Sequence, residues 1–211
     1  MLVKKKSKFV FFGKKRTIFP SYIVASLFIV SLIFFGTLSL LSKVSPKEEA
    51  TVEISQEEQF IQKIASHAQV LYQQYQVLPS ISISQAILES DWGTSELSTL
   101  NNNFYGIKGT DASNTVLMTT KEFENGQWIE INARFRKYED WKESMEDHAK
   151  LFVNGTTWNA DQYATVRAAK NYQEAAHALQ ASGYATDPDY PAKLIELIQQ
   201  YKLDQYDQKG P

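Results

Sequence analysis

The stretch "PSYIVASLFIVSLIFFGTLSLL", from Pro20 to Leu41, holds no charged residue, and nothing else divides this chain so sharply. A helix rises 1.5 Å per residue, so a segment of this length spans roughly 30 Å, the thickness of the hydrocarbon core of a bilayer. The pattern predicts a transmembrane helix over 20–41. Lys4, Lys5, Lys6, Lys8, Lys14, Lys15 and Arg16 precede it, whereas Lys43 and Lys47 stand beside Glu48 and Glu49 after it. That bias keeps residues 1–19 cytoplasmic and exports everything downstream. A cleaved signal peptide is the other reading, but its apolar core usually runs about 7 to 15 residues and ends at a small-x-small site. Thr37-x-Ser39 is a poor version of one. The exported part is expected to be a single-pass membrane protein, or secreted if the segment is cut.

Residues 42–55, "SKVSPKEEATVEIS", are polar, contain Pro46 and show no apolar period, which marks a linker. A folded domain is expected over 56–207. The whole chain is 43% hydrophobic and 22% charged, enough apolar material to bury a core. A formal net charge of -2 leaves no basic footprint for nucleic acid. The absence of cysteine removes disulfides, thiolate metal sites and a Cys nucleophile together. A monomer is expected.

Between Gln56 and Gln76 the apolar positions Phe60, Ile64, Ala68, Leu71 and Tyr75 recur at helical steps and stop before Pro79. A second helix follows from Ile81 to about Ser90, with Ser80 or Ser82 as its expected cap. It is apolar on most of its circumference and so should be buried. Further on, "SNTVLMTTKEFENGQWIEINARFRKY" alternates, and Asn125-Gly126 signals a hairpin. A two-residue turn there sets Glu124 opposite Gln127, Phe123 opposite Trp128, Glu122 opposite Ile129 and Lys121 opposite Glu130. In that register Glu122 shares a face with Val116, Met118 and Thr120. Helical patterns return in "EDWKESMEDHAKLFV", "DQYATVRAAK", "NYQEAAHALQASG" and "DPDYPAKLIELIQQYKL". The fold class is α+β, mainly helical, with a small β-hairpin lobe and a cleft between lobe and body.

His67, His148 and His177 show no metal-binding spacing, and each reads as an ordinary helix residue. Phosphate-binding glycine loops and a nucleophile elbow are missing from the sequence. Carboxylates remain. The span Ile64 to Leu88 has no Asp, Glu, Lys or Arg, and Glu89 ends it, directly before "DWG". An acid at the edge of a buried helix can face a cleft while its neighbours strip it of water, which raises its pKa. Glu122 would reach the cleft from the hairpin, giving the two carboxylates on two elements that glycoside hydrolysis uses. Two plainer readings stay open. Glu89 is then a solvated helix-end carboxylate, and a one-residue slip turns Glu122 to water. Trp92, Phe104, Tyr105, Trp128 and Tyr184 are either a sugar-stacking surface or core aromatics.

The run "SQAILESDWGTSELSTLNNNFYGIKG" closely resembles the signature of family 73 glycoside hydrolases, the endo-β-N-acetylglucosaminidase domain of bacterial autolysins and flagellar peptidoglycan hydrolases. "TTKEF", "ARFRKYEDWKESMEDHAKLF" and "SGYATDPDYPAKLIELIQQYKLDQYD" resemble that family's later blocks in the same order, so the likeness covers roughly residues 56 to 207. It implies a lysozyme-like fold, peptidoglycan glycan strands as substrate, and no metal or cofactor. It also implies that Glu89 is the general acid and that Glu122 is a second acidic residue, positioning water or assisting the sugar's acetamido group. Tyr184 matches a family tyrosine near the reacting sugar. Asn103, Phe104, Tyr105 and Lys108 match groove-lining positions, and Trp92 and Tyr190 are carried as further substrate-binding candidates. Two departures stand out: Asp91 replaces a small or uncharged residue, and Tyr105 a more common Phe. Asp91 could push the pKa of Glu89 further up or merely hydrate the rim. Inversion and substrate assistance both remain open, as do a muramidase or lytic transglycosylase on the same scaffold and an inactive anchored wall-binding protein.

Overall fold

A computed structural model describes residues 54–124 and 127–208. The expected membrane span over 20–41 lies outside these residues. Among the described residues no helix is long and apolar enough to cross a membrane.

Helix α1 (Gln56–Tyr75) starts where Ser55 accepts a hydrogen bond from the Glu58 amide at 3.2 Å, with Glu57 and Glu58 in its positive first turn. It ends at Gln76, which is left-handed. Phe60, Ile64, Ala68 and Leu71 are buried as their spacing predicts, and Tyr75 is half-buried.

Helix α2 (Pro79–Ser90) is buried from Pro79 to Ile87. Its start corrects the expected serine cap: Leu78 stands at the cap without a side-chain bond, and Pro79 occupies the first turn. Asp207 supplies the missing acceptor from the other end of the domain. Its two carboxylate oxygens take the Ser80 amide and the Ser80 hydroxyl, each at 2.7 Å. A carboxylate at this position also meets the positive end of the helix dipole. The buried serines of α2 find partners nearby or across the fold, whereas Gln85 Oε1 is left without one. Ser84 donates to the Ile81 carbonyl at 3.0 Å, and Ser82 pairs with the Tyr105 hydroxyl at 3.2 Å.

After α2 the chain turns through three successive left-handed residues, Asp91, Trp92 and Gly93, with φ of 49°, 58° and 74°. Gly93 is needed twice over, for its φ and because a Cβ there would stand 2.6 Å from Phe60 Cε2. The short α3 (Glu96–Asn101), capped by Ser95, was not foreseen from the apolar pattern. Six residues are too few to show a period.

Strands β1 (Thr115–Glu124) and β2 (Gln127–Arg136) pair antiparallel in the predicted register, Glu124 opposite Gln127 and Glu122 opposite Ile129. Val116, Met118, Ile131 and Phe135 are half-buried or buried, whereas Leu117, Asn132 and Arg134 are exposed. Glu122 belongs by register to the first set, and its side chain lies outside the described part.

The helices α4 (Trp141–Asn154), α5 (Ala164–Ala168), α6 (Tyr172–Ala181) and α7 (Tyr190–Tyr201) follow, then a 3₁₀ turn (Leu203–Asp207). Asp140 caps α4 by accepting from the Lys142 and Glu143 amides, and Asn171 caps α6 by accepting from Glu174. Ile64, Ile81, Ile83, Met145, Phe152 and Leu194 fill one core, each effectively sealed from solvent. Full burial of such a side chain contributes about 1.5–3 kcal/mol. The same core fixes the floor on which the candidate site is built.

Candidate active site

A groove of about 820 Å³ runs between the helical body and the hairpin. The body contributes Glu89 and Leu88 from α2 and Tyr190 and Lys193 from α7, and the hairpin contributes Met118, Thr120 and Phe135. Loops add Tyr105, Lys108, Tyr184 and Asp187.

Glu89 occupies the last turn of α2, one turn beyond Gln85 on the same face. Glu89 is exposed to solvent along the groove, with the wall of the groove crowded behind it. The Tyr190 hydroxyl donates to Glu89 Oε1 at 2.8 Å and accepts from Gln85 Nε2 at 3.0 Å. The loss of hydration against the groove wall raises the Glu89 pKa, and the Tyr190 hydrogen bond and the Lys193 charge pull it partly back. The expected rise is therefore present. Its cause is burial and not Asp91, which caps α2 and is exposed. Lys193 is itself paired with Asp187.

A second buried chain stands behind Tyr184. His148 Nε2 lies 3.1 Å from the Tyr184 hydroxyl, and the His148 ring stacks on Tyr105 with centroids 3.8 Å apart. Phe152 stacks on the other side of this cluster, 5.7 Å from the Tyr184 ring. Burial lowers the His148 pKa to about 3, so the ring is neutral at working pH. Burial likewise pushes the phenols of Tyr105, Tyr184 and Tyr190 up, so they serve as neutral hydroxyls.

His148 has a measurable signature. In the unfolded chain it takes a proton near pH 6.5, about the free value; in the fold it resists protonation down to about 3. Between those limits the unfolded state binds more protons. The stability it contributes is complete above about pH 6.5 and is lost on acidification toward the folded value, at up to about 1.4 kcal/mol per pH unit. Urea midpoints of wild type and His148→Gln, compared at neutral and acid pH, are expected to show a shallower acid loss in the variant.

The sequence-predicted positions divide. Glu89, Tyr105, Lys108, Tyr184 and Tyr190 come together in the groove. Phe104 does not line it: the ring is buried, 5.4 Å from Phe60 and stacked on Trp141 at 6.2 Å. Trp92 faces away as well, 4.8 Å from Tyr201 and edge-on to Phe60. Both are core aromatics, drawn inward because the left-handed turn after α2 closes over Phe60. Asn103 is also corrected, from substrate contact to loop support. Its Nδ2 donates to the Ile107 and Arg136 carbonyls and its Oδ1 accepts from the Ile107 amide, all at 3.0 Å. This holds Lys108 against β2, where it bridges to Phe135. Gln85, His148 and Lys193 were missed. Gln85 alone left a signal, a polar residue four positions before Glu89 in an otherwise buried helix.

A carboxyl of raised pKa beside neutral phenols, in a groove between a helical body and a β-lobe, suits the acid half of glycoside hydrolysis. Residues 65–203 match the family described as mannosyl-glycoprotein endo-beta-N-acetylglucosaminidase, the Glucosaminidase family. The chain is 49% identical over 191 residues to the exo-glucosaminidase LytG of Bacillus subtilis, covering 90% of this chain and 68% of LytG. It is 38% identical over 204 residues to a probable N-acetylmuramidase of Lactococcus lactis subsp. cremoris, covering 92% of this chain and 46% of that protein. Among solved structures, the catalytic domain of the autolysin Auto from Listeria monocytogenes aligns with a TM-score of 0.65 at 39% identity, covering 82% of this chain and 96% of that domain.

The chain belongs to the Glucosaminidase family, the family 73 glycoside hydrolases, with their lysozyme-like, mainly helical α+β fold.

Proposed function

We propose that this protein hydrolyses peptidoglycan glycan strands at the β-1,4 bond on the reducing side of N-acetylglucosamine, with Glu89 as general acid. The observation that supports it is the Glu89 carboxyl, held by Tyr190 in a groove of about 820 Å³ and raised in pKa by loss of hydration. A carboxyl of raised pKa keeps its proton at a pH where an ordinary glutamate has lost it, and can deliver that proton to the glycosidic oxygen. Tyr105, Lys108 and Tyr184 line the strand's path. Glu122, on the groove-side parity of β1, would orient water or the acetamido group. The segment 20–41 anchors the enzyme in the membrane with the catalytic domain outside, which keeps it near newly exported wall.

The test is the chemistry of the new ends. Purified wall digested by the full chain, reduced with borohydride and resolved by mass spectrometry, is expected to yield reduced N-acetylglucosamine. Reduced N-acetylmuramic acid would assign a muramidase instead, and 1,6-anhydro ends a transglycosylase; no digestion would leave a binding protein. The sizes of the earliest fragments separate internal from terminal cleavage. A parallel digest with Glu122→Gln is expected to be slow, and full activity would remove Glu122 from the site.

A further inference from the structure

Gln85 is sealed from solvent in the middle of α2, where an aliphatic side chain would pack without needing partners. Its Nε2 donates to the Tyr190 oxygen at 3.0 Å, and the Tyr190 oxygen lies 2.8 Å from Glu89 Oε1. A phenol has one proton. With the amide proton taking a lone pair on one side, the Tyr190 proton is committed to the carboxylate on the other. A protonated carboxyl facing that donor cannot also carry its own hydrogen on Oε1 without setting two hydrogens against each other.

We propose that Gln85 is a positioning residue for the acid step. Through Tyr190 it reserves Glu89 Oε1 as an acceptor, and so places the transferable proton on Oε2. This rests on the reading of Glu89 as the general acid. In the step, the Oε2–H bond breaks and an O–H bond forms at the glycosidic oxygen as that oxygen leaves the anomeric carbon. The carboxylate left behind is already met at Oε1 by the Tyr190 hydroxyl, so the charge that develops finds a preorganised donor. The reverse amide orientation would make Tyr190 donate to Gln85 and accept from Glu89, holding the acid proton on Oε1 and away from the sugar.

The charged and titratable groups near Glu89 are Tyr190 and Lys193 of α7 and Asp187 and Tyr184 of the preceding loop, with Lys108 and Glu96 further along the groove. Only Tyr190 among them is substituted in the variants that follow; Gln85 also meets Tyr184, so the relay is read from the Tyr190→Phe background, in which a loss through Tyr184 would persist. The full chain in detergent is assayed on soluble glycan fragments across pH as wild type, Glu89→Gln, Gln85→Met, Tyr190→Phe and the Gln85→Met/Tyr190→Phe double variant. Gln85→Met is expected to lower kcat about tenfold with KM little changed. It should also move the alkaline limb of the profile up by about half a pH unit, because a carboxylate with a weakened donor binds its proton more tightly. In the Tyr190→Phe background the same change should cost less than about twofold, since the relay is already cut.

An unmoved or lowered alkaline limb in Gln85→Met would overturn the proposal, and so would an undiminished cost in the Tyr190→Phe background, which marks a packing role. If Gln85→Met does not fold, Tyr190→Phe alone carries the test: with the donor to Oε1 removed the alkaline limb should move up, and an unmoved limb would overturn the proposal. Full activity in Glu89→Gln would bring down the acid reading itself. An inactive Glu89→Gln beside an indifferent Gln85→Met would bring down the relay alone.

Discussion

Glu89→Gln is expected to lose activity on wall glycan by about 10²- to 10⁴-fold, the usual contribution of a positioned general acid, while still folding and binding the strand. The substitution keeps the shape and the acceptor that Tyr190 meets at 2.8 Å, and removes only the transferable proton. Release of reducing ends, far-ultraviolet circular dichroism and co-sedimentation with insoluble wall read the three properties separately. Substantial residual lysis by a well-folded variant would rule out Glu89 as the acid. The same variant carries a stability signature of opposite sense. The Glu89 pKa is raised in the fold by burial, so the neutral form is the one the fold favours. What this group contributes is therefore complete below its unfolded pKa, about 4.3, and is lost as pH rises through the folded value. At neutral pH the Gln variant should melt above wild type, and the gap should close on acidification toward the ordinary glutamate range. An active site that costs stability in this way is a common compromise.

Gly93→Ala is expected to lower stability by about 2–4 kcal/mol through left-handed strain plus overpacking. Gly93 has φ of 74°, and an added methyl would lie 2.6 Å from Phe60 Cε2. Phe60 has little room to retreat, because it is buried against Trp92 and Phe104. Urea denaturation gives the size of the effect. Because the turn begins two residues after Glu89, activity of the folded fraction should fall as well. A variant of unchanged midpoint would show that Phe60 and the turn can relax.

Much of this was legible in the sequence, for identifiable reasons. The hairpin register followed from one dipeptide and a period of two, because a strand offers its side chains only two directions. The burial of α2 followed from a charge-free span, and the raised pKa of Glu89 from its place at that span's edge. Aromatic roles were not legible. Trp92, Phe104 and Tyr105 lie within a short stretch of chain and all pack against the core, yet only Tyr105 also borders the groove. Their directions depend on three left-handed residues and on the Asn103 hydrogen bonds, and neither has a periodic signature. His148 was invisible in another way. Its spacing fits an ordinary helix, and only the fold brings it against Tyr105 and Tyr184 across distant segments.

The carboxylate that holds the first turn of α2 comes from Asp207, beyond the residue at which the family match ends, Leu203. A fragment trimmed to the matched span 65–203 would keep the groove residues described above and still lose the anion that fastens the front of the acid-bearing helix. It would also lose Phe60, on which Gly93 closes. The working unit of catalysis is thus longer at both ends than the region by which its kinship is recognised, and protein engineers who cut at the boundaries of similarity would cut through its supports.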